Sequence, residues 1–476
     1  MAERQQHGRA ARGRRARSSL ASYTAAPDRP DPVQLLTAQE VVRVKPLLPL
    51  RHSRMSVSAF TFYRGAAAIM ASDLGALPNS GLITQLCGDA HLSNFGMFAA
   101  PDRSVVFDIN DFDETNPGPF EWDVLRLATS FVLAGRDNKL DQSVIDGAAT
   151  AVGAAYRQQM QVYAGMPELD IWYDRISVEV LDKWAKDTGA PKAAKRVEQS
   201  VAKARSRTQW SAISKMTEVI DGQRQFLDSP PLLVRIPLDG EVFVRVTHLL
   251  ELYQETLPHD RQQLLRRYHV IDLAHKVVGV GSVGLLAFVL LMQGRDENDL
   301  IVLQAKQAVP SVLEGYAAPS VFPLSGQRVV VGQQLMQAAS DVILGWVRAG
   351  GDRDFYIRQL RDMKFALDPT TFTAGILLNY ANLCGRALAR AHARAGDSVA
   401  IAAYLGSSAT FDTAVRDFAF RYADQAALDF EAYTAAIASG AVGVAKNAEE
   451  MTYAFVIGAS DAVEMEALGT DAPASS

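Results

Sequence analysis

Three short apolar runs in the second half of the chain constrain its fold more than any other feature. They are separated by glycine-rich or charged turns and comprise Val277–Val280, Leu285–Met292 and Leu300–Ala305. Apolar runs of this length, with turn residues between them, are typical of strands. The pattern therefore predicts an antiparallel meander, and Arg328–Met336 is predicted to be a further strand.

A glycine-rich segment lies at the start of this meander. It matches the pattern G-x-G-x-x-G, with Gly279, Gly281, Ser282 and Gly284 as candidate cofactor-binding residues. The pattern alone fits either a Rossmann turn or a kinase glycine-rich loop. A Rossmann turn opens a helix, whereas a continuous apolar run follows here and favours a strand. The segment is therefore predicted to present backbone N–H groups to nucleotide phosphates.

Lys306 follows the third apolar run directly. In kinases a lysine at this place pairs with the α- and β-phosphates and with an acid from the next helix. Glu314, eight residues further on, is the candidate for that acid. The alternative is that Lys306 is an edge-strand lysine that prevents aggregation.

The segment Gly88–Asn94 is a polar loop that places an aspartate and an asparagine five residues apart. The catalytic loop of protein kinases has this spacing, with the aspartate as base and the asparagine as metal ligand. Asp89 is therefore the candidate base and Asn94 a candidate Mg²⁺ ligand. His91 is a candidate catalytic residue, or it orients the loop through hydrogen bonds.

A short β-branched run, Ser104–Phe107, leads into an acidic segment. Asp108, Asp111 and Asp113 follow at short intervals. Oxygen ligands at the end of a strand suit Mg²⁺, so all three are candidate metal ligands. Alternatively, these aspartates cap helices or form Asx turns.

These motifs resemble those of the aminoglycoside phosphotransferase and choline kinase group. The resemblance is carried by the Gly-Asp-x-His-x-x-Asn loop, by Asp111-Phe112-Asp113 and by the helix start Trp122-Asp123-Val124-Leu125. It implies an α/β (α+β), two-lobed protein-kinase-like fold that binds ATP and Mg²⁺. The implied reaction is transfer of the γ-phosphoryl group to a small-molecule hydroxyl. The place of Asp123, twelve residues past Asp111, favours Asp111 over Asp108 as metal ligand.

A second resemblance extends over most of the chain. The segments Ser58–Gly65, Gly88–Gly96, Phe107–Leu127 and Gly279–Lys306 are similar to a bacterial family designated domain of unknown function 2252. This resemblance implies no activity by itself. Arg64, in the first of these segments, is a candidate phosphate or substrate contact, with a buried ion pair as the alternative.

The order of the motifs is inverted with respect to kinases, because Asp89 precedes Lys306 by more than two hundred residues. A circular permutation accounts for this order, and chain ends that lie close together on a surface tolerate it. Leu377–Ala395 would then be the helix that normally leads into the catalytic loop.

The motifs divide the chain into six parts. They are a disordered basic tail (1–35), the catalytic-loop part of a large lobe (36–165), a mostly helical insertion (166–270), a small nucleotide-binding lobe (271–365), a helical remainder of the large lobe (366–465) and a disordered tail (466–476).

Composition restricts the classes of function and partner. The net charge of −5 gives no global attraction to nucleic acid or membrane. Cys87 and Cys384 are the two cysteines, which excludes a disulfide framework and fits a reducing, cytoplasmic compartment. The most apolar stretch, Val277–Met292, is too short and too rich in glycine to span a bilayer.

Two alternatives to a phosphotransferase stay open. One is a regulatory protein that binds nucleotide in the same pocket without turnover. The other is a metal-dependent phosphoester hydrolase built on Asp89 and the three aspartates at 108, 111 and 113. The identity of the acceptor and the oligomeric state do not follow from the sequence.

Overall fold

The computed structural model describes residues 1–181, 199, 201–202, 209–277, 279–360 and 365–445. In these parts the chain is a mixed α+β protein with several antiparallel sheets. The predicted tail 466–476 lies outside the described residues.

Fifteen α-helices are described in these ranges. They are α1 (Ala2–Arg14), α2 (Pro32–Ala38), α3 (Leu48–Met55), α4 (Ala59–Gly65), α5 (Ala67–Gly75), α6 (Glu121–Asp137), α7 (Gln142–Ala164), α8 (Glu168–Tyr173), α9 (Gln209–Met216), α10 (Gly240–Glu255), α11 (His259–Leu265), α12 (Ser325–Met336), α13 (Ala374–Ala395), α14 (Ser398–Leu405) and α15 (Thr410–Ala438).

The described strands form four sheets. The strands are β1 (Ile83–Leu86), β2 (Phe95–Ala99), β3 (Val105–Ile109), β4 (Asn116–Pro119), β5 (Ile176–Ser177), β6 (Thr217–Ile220), β7 (Gln223–Phe226), β8 (Leu233–Ile236), β9 (His269–Lys276), β10 (Ala287–Gln293), β11 (Leu300–Ala308), β12 (Gly345–Ala349) and β13 (Arg353–Gln359). The largest sheet has the order β12-β13-β11-β10-β9-β8, and the smaller ones are β2-β3-β5, β1-β4 and β6-β7.

The predicted meander is confirmed in its second and third runs, which form the antiparallel pair β10 and β11. The first run is placed wrongly, because its strand β9 ends at Lys276 and the glycine segment forms the connection to β10. Arg328–Met336 is not a strand but lies in helix α12, which connects β11 to β12. Its valines favour a strand, but tertiary context overrides this propensity, and Val329 and Val330 pack into the core from a helix.

The expected disordered tail over residues 1–35 is instead a structured segment. Helix α1 packs on α14 so closely that a Cβ on Gly8 would lie 2.0 Å from the carbonyl oxygen of Ala400. Arg12 donates to the carbonyl of Tyr404 (2.9 Å) and Arg17 to that of Leu405 (2.5 Å). The arginines bind the free carbonyl groups at the C-terminal end of α14, where a helix attracts positive charge.

The expected helical insertion 166–270 also contains strands β5 to β8. Strand β8 pairs with β9 at the edge of the largest sheet, with Leu233 opposite Lys276. The sheet therefore begins before residue 271, where the sequence placed the start of the small lobe.

The two main hydrophobic clusters of the described ranges belong to different parts of the fold. The larger joins β1 to β3 with helices α6, α7, α13 and α15. The second lies between the largest sheet and α10, and includes Leu250, Tyr253, Leu273 and Phe288. No helix in the described ranges has both the length and the apolar character needed to cross a membrane.

Candidate functional site

A cleft of about 460 Å³ lies where the polar loop, the acidic segment and the glycine segment meet. Its lining includes Asp89, His91, Asn94, Asp111, Asp113, Gly279, Gly281 and Ser282. The volume is in the range of small-molecule binding sites. The fold therefore brings together two sets of predicted residues that are far apart in sequence.

Asp89 is held by a residue that the sequence analysis did not identify. Arg126, on α6, donates from Nε to Asp89 Oδ1 at 2.6 Å. The second carboxylate oxygen lies 3.7 Å from His91 Nε2 and is not engaged by the guanidinium. Burial raises the pKa of Asp89, and the charge of Arg126 acts in the opposite direction. The arrangement fixes a carboxylate in the cleft with one oxygen left to accept a proton.

Asp123, three residues before Arg126 on the same helix, holds the backbone before Asp89. Its carboxylate accepts from the backbone N–H groups of Cys87 (2.8 Å) and Gly88 (3.1 Å). His392 Nε2 lies 3.2 Å from the same carboxylate. Because all these groups are buried, the loop has a fixed conformation in front of the cleft.

His91 and Asn94 complete the loop. Burial and the charges of Arg64 and Arg126 lower the pKa of His91 well below its ordinary value, so its imidazole is neutral at neutral pH. Asn94 Nδ2 donates to the backbone carbonyl of Asp89 at 2.9 Å, which leaves the amide oxygen available as a ligand. Asn94 thus both closes the loop and offers an oxygen donor.

The three aspartates of the acidic segment have different surroundings. Asp108 lies in β3, is buried, and pairs with Arg390 of α13 at 2.6 Å. It does not line the cleft, so the prediction that it belongs with the other ligands is corrected. Asp111 does line the cleft, and in the described part its carboxylate has no ion pair. Position along the chain explains the difference, because Asp108 lies within β3, all of whose residues are buried, and Asp111 lies in the loop after this strand.

Asp113 is the meeting point of the two halves of the site. It forms an ion pair with Lys306 of β11, and accepts hydrogen bonds from Tyr356 Oη at 2.7 Å and Ser282 Oγ at 3.1 Å. Burial alone would raise the pKa of Asp113, but the Lys306 ammonium group holds it below its ordinary value. Lys306 is therefore connected to the cleft by its ion pair with Asp113, which lies 193 residues away in sequence.

The glycine segment forms another part of the cleft lining. Gly279 has φ +72°, a backbone conformation that side chains rarely adopt. A Cβ on Gly281 would lie 3.2 Å from the carbonyl oxygen of Arg64. Gly284 does not line the cleft, and its carbonyl accepts from the N–H of Val44 at 2.7 Å. The loop is thus held in place by the segment that precedes α3.

The predicted pair between Lys306 and Glu314 is not formed. Glu314 accepts from the backbone N–H of Ser311 at 2.9 Å and lies 3.6 Å from Arg328, outside the cleft lining. Asp113 takes the place of Glu314 as the acid that pairs with Lys306.

Among the contacts that were not predicted, that of Arg126 had a signal in the sequence, because helical spacing places Arg126 on the face of α6 that carries Asp123. Tyr356 had none, because strand pairing opposite Lys306 brings it into the site.

Two side chains that line the cleft, Asp111 and Asn94, offer oxygen atoms of the kind that bind Mg²⁺. In the described residues no three side chains of histidine, cysteine, aspartate or glutamate form a metal site. Mg²⁺ is commonly held by one or two carboxylates together with phosphate oxygens. Asp111 and Asn94 are the residues that would provide the protein's part of such a site.

The fold and the cleft define the class of this protein. It is a mixed α+β protein in which the glycine segment and the acidic segment line one cleft and are joined by the hydrogen bond from Ser282 to Asp113. The model of a family described as an uncharacterized protein conserved in bacteria (DUF2252) matches residues 43–436. The chain belongs to this family. No curated protein and no solved structure is significantly similar to it.

Proposed function

We propose that this protein is an ATP- and Mg²⁺-dependent phosphotransferase of circularly permuted, kinase-like fold that acts on a small-molecule hydroxyl. The observation that carries the proposal is the ion pair that joins Lys306 to Asp113, which lines the cleft together with Asp89, Asn94 and Asp111. A kinase site requires these residue types together. Their approach across such a separation in sequence is not expected from two unrelated motifs.

The order of elements in the largest sheet supports the kinase-like interpretation. The glycine segment connects β9 to β10, and Lys306 lies on β11 opposite Ala287 of β10. Helix α12 follows β11. Kinases likewise have the glycine-rich loop before the strand that carries the lysine, and a helix after that strand.

The C-terminal end of α13 supports the permutation. Gly396 follows this helix, and a Cβ on it would lie 2.5 Å from Thr84 Oγ1 of β1. Strand β1 leads directly into the loop of Asp89. A chain connected from α13 to β1 would thus restore the usual order of helix, strand and catalytic loop. The proximity of these two points is what a permutation needs.

The residues of the proposed site have distinct roles in the proposed reaction. Asp89 accepts the proton of the attacking hydroxyl, and Arg126 keeps its carboxylate in place. The glycine segment and Lys306 bind the phosphates of the nucleotide. Asn94 and Asp111 would hold Mg²⁺, which neutralises phosphate charge when bound.

The test is the substitution Asp111→Asn, which keeps the shape of the side chain and removes its charge. We expect Mg²⁺-dependent binding of ATP, measured by isothermal titration calorimetry, to weaken at least tenfold. Asp102→Asn is the matched control, because Asp102 is half exposed in the turn between β2 and β3 and does not line the cleft. Equal binding by the two variants would contradict the proposal.

A second candidate is a nucleotide-binding protein without turnover. The observation that favours it is helix α12, whose residues Ser325–Met336 include no acid to pair with Lys306. In active kinases that pair is in place. Release of ADP in the presence of a broad panel of alcohols distinguishes the candidates, because a protein without turnover binds ATP and releases none.

A further inference from the structure

Two arginines line the cleft without an acidic partner. Arg64 makes no hydrogen bond or ion pair with any residue in the described ranges, and its Nε is buried. Arg43 donates from Nη1 to the carbonyl of Val283 at 2.7 Å, and its own Nε is buried without a partner. Both side chains are half-buried, and the Arg64 guanidinium lies over the Phe60 ring at 6.0 Å. A buried guanidinium N–H that has no acceptor is costly. The unpaired N–H groups of these two arginines are therefore available to a ligand.

The carboxylates of the cleft do not meet this need. Asp89 is bound to Arg126, and Asp113 is bound to Lys306. Glu114 also lines the cleft and acts on Arg43 electrostatically, but it forms no ion pair with Arg43 in the described residues, and its Oε2 accepts from the backbone N–H of Val312 at 2.8 Å. Asp111 is close enough to act on Arg64 electrostatically but forms no ion pair with it in the described part. In the proposed reaction Asp111 is a metal ligand. The arginines thus retain positive charge for an external anion.

The start of helix α5 lies beside Arg64 and adds to this effect. Ala67 and Ala68, its first two residues, line the same cleft, and no side chain caps this end. Free N–H groups at a helix N-terminus attract anions. His91 is a further buried group in the cleft lining, and its Nδ1 has no hydrogen-bond partner among the described residues. The arginine and the helix end are independent features that both favour an oxyanion.

We propose that Arg64, assisted by Arg43 and the first turn of α5, binds an oxyanion carried by the acceptor, which is therefore a phosphorylated or carboxylated alcohol. The assignment to the acceptor rests on the proposed phosphotransferase function. In the proposed reaction Lys306 and the glycine segment bind the nucleotide phosphates, whereas the carboxylates that act electrostatically on Arg64 are Asp89, the base that faces the acceptor, and Asp111. A planar guanidinium suits the two oxygens of either anion.

The test uses inorganic phosphate as the probe, measured by calorimetry with and without a saturating Mg²⁺ complex of a non-hydrolysable ATP analogue. We expect the wild type to bind phosphate under both conditions. Arg64→Ala should weaken phosphate binding about tenfold to a hundredfold, while affinity for the nucleotide analogue stays within about threefold. Arg64→Lys, which keeps the charge without the planar fork, should lie between the two.

Arg175→Ala is the matched control, because Arg175 pairs with Asp102 at an exposed site outside the cleft, and it should bind phosphate as the wild type does. Circular dichroism checks that each variant is folded. Undiminished phosphate binding by Arg64→Ala, or no binding by the wild type, would overturn the subsite. Phosphate that the nucleotide analogue displaces would place Arg64 in the nucleotide site and overturn its assignment to the acceptor.

The outcome for the subsite is separate from that for the proposed function. If the wild type binds no nucleotide, the phosphotransferase proposal fails. Phosphate binding that depends on Arg64 would in that case still support an anion site, but not its assignment to an acceptor.

Discussion

Removal of the Lys306 side-chain charge is the sharpest test of how the two halves of the site are joined. Lys306 is buried to 4% exposure, and its partner Asp113 retains bonds to Tyr356 and Ser282. Loss of one member of a buried ion pair costs about 3–5 kcal/mol of unfolding free energy. Because the Asp113 side chain is 23% exposed and keeps two hydrogen bonds, we expect Lys306→Met to lie near the lower end, about 3 kcal/mol.

The assay is equilibrium unfolding in urea, followed by tryptophan fluorescence, for four proteins: wild type, Lys306→Met, Asp113→Asn and the double variant. The double variant leaves neither charge unpaired, so we expect it to be more stable than the sum of the single changes predicts. The coupling free energy should be about 2 kcal/mol. Single changes that add within about 0.5 kcal/mol would refute the reasoning that this pair joins the halves.

The pH dependence of the same pair gives an independent check. The pKa of Asp113 is held below its ordinary value in the folded state. Its contribution to stability is therefore present above the unfolded pKa of about 4 and is lost as the pH falls through the lower folded value. We expect the difference in stability between wild type and Asp113→Asn to shrink as the pH is lowered below about 4. A difference that does not change with pH would contradict this assignment.

Three further predictions concern single contacts. Asp108→Asn should destabilise the fold by about 3 kcal/mol in thermal unfolding, because the buried Arg390 loses its partner. Mg²⁺-dependent ATP binding, measured by calorimetry, should stay intact. Loss of binding in a folded variant would show that Asp108 belongs to the site. Tyr356→Phe removes a hydrogen bond to a charged group and should cost about 1.5–3 kcal/mol in urea unfolding; an unchanged midpoint would refute that contribution. Gly279→Ala introduces a side chain at φ +72°, which should lower the free energy of unfolding by about 1 kcal/mol and weaken ATP binding. Unchanged ATP binding would show that the glycine loop does not contact the phosphates.

Local patterns predicted a good part of the elements that carry the site. Sequence patterns located α6, α13 and the strands β3, β10 and β11, because each of these elements has an apolar pattern that its own burial requires. The spacing within the loop identified Asp89 and Asn94, and the glycine pattern identified Gly279 and Gly281, all of which line the cleft. The local pattern predicted a strand wrongly at α12, because tertiary context overrides the strand propensity of its valines, which pack into the core from a helix.

Only the tertiary structure decided which side chains face one another. Strand pairing places Tyr356 opposite Lys306, and helix packing places Arg390 against Asp108. Neither contact leaves a trace in a single sequence, because the partners are far apart along the chain and their approach depends on the whole core. The sequence by itself therefore determined the residue types of the site and their local order. The packing determined that Asp113 rather than Glu314 pairs with Lys306, and that two arginines remain without an acid in the cleft.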